Sequence, residues 1–157
     1  MPRMLRPPDD TRDHPLPRSV PPREAGRMPA KHTTVDGFRA ALEPDDRARF
    51  EGMRALLLEL EPRLTETIKW NAPSFDLDGR DRLTFNVMNR QRELQLLLHL
   101  GASRAETRGG APIVDDPAGL VRWLSDIRGV LGVPDAAALA ERRRDYADLI
   151  TRWIAVP

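Results

Sequence analysis

The residues best suited to chemistry lie in one short segment, residues 69–75, which reads Lys-Trp-Asn-Ala-Pro-Ser-Phe. It places a cation, an amide and a hydroxyl beside two aromatic rings, a combination that a hydrophobic core does not need. In a binding pocket, Lys69 would hold an anion and Trp70 would form an apolar wall. Asn71 and Ser74 would orient the ligand through hydrogen bonds. An alternative of equal weight is that Lys69 and Asn71 stabilise a turn and bind no ligand.

Two further residues, which come later in the chain, complete this candidate site. His99 lies in a segment that alternates like a strand, and Trp123 would supply a second apolar wall. A single strand histidine is more often a structural hydrogen-bonding residue than a catalytic one. Ser74 and His99 lack an identifiable third residue for a hydrolytic triad, so a binding site is favoured over an enzyme.

Length and composition limit the possible functions. The chain has 157 residues, enough for one domain, and it contains no cysteine, which excludes disulfides and thiolate metal sites. We expect a soluble cytoplasmic protein without a membrane span, because no apolar run approaches the roughly 18 residues required. The body after residue 31 has 18 basic and 20 acidic residues. This balance disfavours nucleic-acid binding and leaves a small molecule or a protein as partner.

The first 31 residues differ from the rest of the chain. They hold eight of the fifteen prolines, with scattered arginines and no apolar periodicity, so residues 1–31 are predicted to be a disordered tail. Met28 is a second plausible start of translation. Residues 1–27 are therefore either a translated extension or a stretch upstream of the true start, and residues 32–157 are the predicted domain.

Two helical regions are predicted from apolar residues spaced three and four apart. The first begins after Thr34, restarts at Pro44 and ends before Pro62, which denies the helix a backbone donor. The last begins at Pro134 and runs towards the end of the chain. Their predicted buried stripes are Phe50, Met53, Leu57 and Leu60 in the first region and Leu139, Tyr146, Ile150 and Trp153 in the last.

The middle of the chain has the alternation of an antiparallel sheet. Strands are predicted at 65–70, 75–77, 83–87, 94–100 and 130–133. A loop with an odd number of residues, Asp78 to Arg82, would place Phe75 and Leu83 on the same face. A short helix is predicted to run through Leu124, with Asp116 as its cap and Pro117 at the first helical position.

These elements predict the fold class. Strands that follow one another through hairpins indicate a mostly antiparallel sheet of about five strands. Amphipathic N-terminal and C-terminal helices would pack on one face of that sheet. The sequence therefore predicts an α+β fold, a two-layer sandwich.

The segment Ile68 to Phe75, with the residues that follow it, resembles the signature of the YdhG-like family, whose general function is undefined. The residues that carry the resemblance are Gly79, Asp81-Arg82, Phe85-Asn86, His99 to Ala102, Asp115, Leu120, Trp123-Leu124, Asp126 and Arg128. It spans about residues 34–155. The resemblance implies a compact sandwich akin to frataxin, in agreement with the predicted order of elements.

The resemblance also implies an alternative function, because one member of the family is regarded as a frataxin-like iron chaperone. Frataxins resemble one another in an acidic ridge on the first helix, where oxygen ligands gather iron. The corresponding candidates here are Asp45, Asp46 and Glu51. Arginines are interleaved at 39, 47, 49 and 54, so a cation would be held weakly. Apart from iron in this alternative, no cofactor is expected.

Overall fold

Four helices and six strands follow one another in residues 30–157, the part of the chain that the computed structural model describes. In chain order they are α1 (Val35–Ala41), α2 (Pro44–Leu60), β1 (Thr65–Lys69), β2 (Ala72–Leu77), β3 (Arg80–Asn86), β4 (Gln95–His99), β5 (Val121–Ser125), β6 (Arg128–Gly132), α3 (Ala136–Glu141) and α4 (Arg143–Ile154). Almost all of the predicted tail, including the possible start at Met28, lies outside the described residues. No helix of residues 30–157 has the length and apolar character needed to cross a membrane.

The first two helices begin at the predicted residues, after Thr34 and at Pro44. The Thr34 side chain accepts a hydrogen bond from the Gly37 amide at 3.0 Å, and Pro44 opens α2 at its first position. The predicted final helix is divided at Arg142 into α3 and α4. The predicted stripes are buried except for Leu60, which is partly buried against the core.

The strands form one antiparallel sheet in the order β1-β2-β3-β4-β6-β5. The protein is therefore α+β, with six strands instead of about five. The additional strand is β5, so the predicted helix from Pro117 to Leu124 is wrong. Both carboxylate oxygens of Asp116 accept hydrogen bonds, from the amides of Leu120 and Val121, and close a turn. The chain leaves this turn extended, in agreement with the strand preference of β-branched and aromatic residues.

In the β2–β3 hairpin, Phe75 and Leu83 share one face as predicted, but the turn between the strands differs from the predicted loop. Its turn is the dipeptide Asp78-Gly79, with φ of 53° and 74°, and not a five-residue loop. Asp76 pairs with Asp81, but Phe75 pairs with Leu83, so Arg82 is the extra residue of a β-bulge. The bulge restores the register, and Phe75 and Leu83 are both buried in the core as predicted.

The two faces of the sheet have different surroundings. On one face the ring of Phe85 contacts Phe50 of α2, with centroids 4.7 Å apart, and Trp123 contacts Trp153 of α4 at 5.9 Å. Strand alternation turns Thr84 and its neighbours to the opposite face. We call this second side the polar face; it also carries the buried side chains of Ser74 and His99.

Candidate functional site

The Lys-Trp-Asn-Ala-Pro-Ser-Phe segment forms a β-hairpin turn and the strand that follows. Trp70 and Asn71 are the two turn residues between β1 and β2, and both have positive φ values, 50° and 65°. The Asn71 side chain accepts a hydrogen bond from the His32 amide. Trp70 is 66% exposed, and its ring lies edge-on to the imidazole of His99 with the centroids 5.5 Å apart. The turn thus holds an indole over the polar face.

A cleft opens beside Trp70. It has a volume of about 270 Å³, and its walls are mainly apolar. The lining residues are Trp70, Leu97, His99, Gly101, Ala102 and Arg128. Arg128 pairs with His99 across β4 and β6, and its guanidinium lies 3.4 Å from Glu106. We call this cavity the Trp70 cleft. It combines an exposed ring, a buried imidazole and a cation, as pockets for small ligands do.

A chain of hydrogen bonds connects His99 to the interior of the sheet. The Nε2 atom of His99 lies 2.8 Å from Thr84 Oγ1, which lies 2.8 Å from Ser74 Oγ, and Ser74 donates to the carbonyl of Leu83 at 3.4 Å. The Gly101 amide donates to His99 Nδ1 at 3.4 Å. Nδ1 is therefore the acceptor, and Nε2 carries the proton that points to Thr84. Every donor in this chain then has an acceptor.

The surroundings of His99 favour the neutral imidazole. Burial lowers its pKa below the usual 6.5, and the nearby Arg128 and Lys69 act in the same direction. Asp81 and Asp76 oppose this shift. A neutral ring agrees with the hydrogen-bond pattern, because a protonated Nδ1 would face the Gly101 amide as a second donor.

Lys69 is bound to two carboxylates of its own sheet. Its Nζ atom lies 2.7 Å from Asp76 and 2.6 Å from Asp81. These hydrogen bonds raise the pKa of Lys69, and the bond from Lys69 lowers the pKa of Asp81. The cation is thus neutralised within the protein. Of the two predicted roles of Lys69, bracing the structure agrees better with these contacts than holding a ligand anion does.

The other predicted residues are divided between the two faces. Ser74 is on the polar face but fully buried behind Thr84, so it contributes through His99 and not by contact with the cleft. Trp123 packs against Trp153 of α4 on the side opposite to the polar face, away from the Trp70 cleft. The predicted role of Trp123 as a wall of the same pocket does not agree with this position.

The candidate iron ligands are dispersed. Asp45 and Asp46 lie in the first turn of α2 and line a groove with Arg49. Glu51 forms an ion pair with Arg39. Within residues 30–157, no three His, Cys, Asp or Glu side chains are grouped so that they could hold a metal ion.

Several residues around the Trp70 cleft were not predicted as site residues. Leu97 and Arg128 line it, Thr84 bonds to His99, and Asp76 and Asp81 bind Lys69. Strand alternation could have indicated Leu97, because it shares a face with His99 two residues away. The other four depend on strand pairing, which residue types alone do not specify.

Comparison of the chain with protein-family models, with curated proteins and with solved structures gave no match. The YdhG-like resemblance therefore remains a prediction from the sequence.

Proposed function

We propose that this domain is a binding module for a small planar organic acid, which occupies the Trp70 cleft. The flat part of the ligand packs on the indole of Trp70 and its acidic group meets the guanidinium of Arg128. The observation that carries this proposal is the exposed ring of Trp70, which is held beside His99 and Arg128 at one opening.

The backbone at Trp70 supports this role. A bulky residue in the left-handed region is disfavoured, and a glycine or asparagine would suit this turn position better. The ring also remains 66% exposed, so burial in the core gives it little compensation. Backbone cost of this kind is characteristic of functional positions.

The dimensions and charges of the cleft restrict the ligand. A volume of about 270 Å³ lies just below the usual range for drug-sized ligands and fits a single ring with one substituent. Lys69 is neutralised by Asp76 and Asp81, so the cation that remains for an anion is Arg128. Arg128 shares its charge only with Glu106 among the described residues, at 3.4 Å, and its planar group has further donors.

A binding role also agrees better with the site than catalysis does. Ser74 is fully buried and donates to a backbone carbonyl, so it cannot attack a ligand in the cleft. His99 uses Nε2 for Thr84 and Nδ1 for Gly101. We assign it the part of a fixed, neutral wall residue.

We also propose that the fold is a two-layer sandwich, in which the helices cover one face and leave the polar face to the ligand. Three contacts support this arrangement: Phe50 with Phe85, Trp153 with Trp123, and Arg54 with Glu66 at 2.6 Å. We expect a soluble cytoplasmic protein.

Ligand-observed NMR on the full chain tests the proposed function. The panel consists of single-ring aromatic carboxylates and their uncharged amides. We expect saturable binding of one or more acids and weaker binding of the matched amides, because Arg128 recognises the charge. Trp70→Ala and Arg128→Gln should each abolish binding. Arg144→Gln, an exposed change on α4, is the matched control and should retain it. Binding that persists in both cleft variants would disprove the proposal.

A further inference from the structure

Arg82, the bulge residue of β3, is a buried cation without an anionic partner in the part of the chain that the structure describes. The residue is only 5% exposed, and its Nε atom is buried without a hydrogen bond. The ion pairs of residues 30–157 do not include it. Burial, with the nearby charges of Arg80 and Arg104, lowers the pKa of Arg82. Buried charges are ordinarily paired, so this one requires an explanation.

Arg82 lines a second cavity, which is bounded in part by the segment after His99. The cavity has a volume of about 340 Å³ and mainly polar walls, which include Arg80, Asp81, Ser103 and Arg104. Arg104 is positioned by a hydrogen bond of 2.7 Å to the Pro157 oxygen. Three arginines thus line one cavity, and the charges of Arg80 and Arg104 act on Arg82.

The acidic residues nearby are used elsewhere or exposed. Asp81 lines the same cavity, but its carboxylate lies 2.6 Å from Lys69. Asp78 acts on Arg82 electrostatically, but its side chain is 76% exposed and lies 4.0 Å from Arg63. Water therefore screens Asp78, and three arginines outnumber the one acidic side chain, that of Asp81, among the described residues that line the cavity.

We propose that this cavity is a binding site for a phosphate group, either as the free ion or as the monoester of a small molecule. Guanidinium groups match phosphate oxygens in geometry, and a dianion supplies the charge that Arg82 lacks. Two of the arginines, Arg80 and Arg82, belong to β3, and Arg104 belongs to the segment after β4. This site shares Gly101 with the lining of the Trp70 cleft, but it does not depend on the function proposed for that cleft.

The test combines calorimetric titration with thermal unfolding of the full chain. Inorganic phosphate and glycerol phosphate are compared with sodium chloride at equal ionic strength. We expect either phosphate compound to raise Tm saturably, with chloride ineffective, because a ligand that binds only the native state stabilises it. Tighter binding of glycerol phosphate would identify the ester as the preferred form, and tighter binding of the inorganic ion would identify free phosphate. Equal Tm values in all three salts would overturn the proposal.

The variant Arg82→Met distinguishes phosphate binding at this cavity from a general effect of salt on Tm. We expect this variant to unfold at the same or a higher temperature without phosphate, since it removes an unpaired buried charge, and to lose the phosphate-dependent rise in Tm. If it does not fold, Arg104→Gln serves instead and should weaken phosphate binding about tenfold, as expected for one charged hydrogen bond. Arg144→Gln is the control that keeps full binding. Retained binding in Arg104→Gln and Arg80→Gln alike would contradict the site.

Discussion

The ammonium group of Lys69 lies 2.6 Å from the carboxylate of Asp81, which pairs with Asp76 across β2 and β3. Lys69 therefore supplies one counterion to two like charges that face each other at directly opposed positions of the sheet. Its structural role is electrostatic cohesion of three strands.

We predict that Lys69→Met lowers the free energy of unfolding by about 1–3 kcal/mol, because two partly buried carboxylates lose their counterion. Urea unfolding at neutral pH measures this change. Arg143→Gln is the comparison, since it removes an exposed ion pair with Glu59 and should have little effect. Equal effects of the two substitutions would show that the Lys69 pairs contribute no more than a surface contact.

The same pairs predict a response to acid. The folded-state pKa of Asp81 lies below its unfolded value, so its contribution to stability is present above the unfolded pKa, near 3.8, and is lost as the pH falls through the lower folded value. The wild type should therefore lose stability in this range more steeply than Lys69→Met does. Parallel stability curves for the two proteins would contradict the role of Lys69.

His99 should add a second response, at higher pH. Its folded-state pKa is below 6.5, so the unfolded chain takes up a proton first, and stability falls as the pH drops from 6.5 to the folded value. The charged groups that face it are Asp81, Arg128, Lys69 and Asp76. In His99→Gln, which keeps one donor and one acceptor, this slope should be absent. Unfolding measured between about pH 7 and pH 5 compares the two proteins.

The backbone at Trp70 gives a prediction that does not depend on any ligand. Trp70→Gly should be more stable than Trp70→Ala by about 0.5–1 kcal/mol, because glycine adopts a positive φ without steric cost. At exposed Met88, where φ is not positive, the order should be reversed. Thermal unfolding of the four variants measures this order. If glycine were more stable than alanine at both positions, or less stable at both, the strain at Trp70 would be contradicted.

Gly129 on β6 leaves space for two side chains of the neighbouring strand. A Cβ atom there would lie 2.3 Å from Val121 Cγ1 and 3.0 Å from the ring of Trp123. Gly129→Ala should therefore destabilise the protein by about 1–3 kcal/mol. Gly132, on the same strand, has no atom within 4 Å of the corresponding position, and Gly132→Ala should be neutral or slightly stabilising. Chemical unfolding of the two variants checks this contrast.

Local signals predicted much of the fold, because periodicity and caps act over a few residues. Pro44 opens α2 as predicted, and Phe75 and Leu83 share the buried face. Asp116 misled the prediction because the same side chain can cap a helix or close a turn. Whether the chain beyond it becomes helix or strand is decided by pairing with β6, a contact that local sequence does not contain.

The candidate site was predictable in part for the same reason. The unusual composition of residues 69–75 indicated the turn where Trp70 now lies beside His99. The partners of Lys69 were not predictable, because Asp81 comes near it only through a bulge in another strand. Trp123 was assigned to the site by residue type, and its register places it on the opposite face.

The bulge at Arg82 links the length of the β2–β3 hairpin to the packing of the core. Its extra residue leaves a carbonyl that accepts a hydrogen bond of 2.7 Å from Nε1 of the fully buried Trp153. A chain lacking residue 82 could still pair Phe75 with Leu83, and the faces of the sheet would be unchanged. That chain would lose the acceptor for the Trp153 indole. A one-residue deletion in the β2–β3 hairpin would therefore remove a buried hydrogen bond of α4.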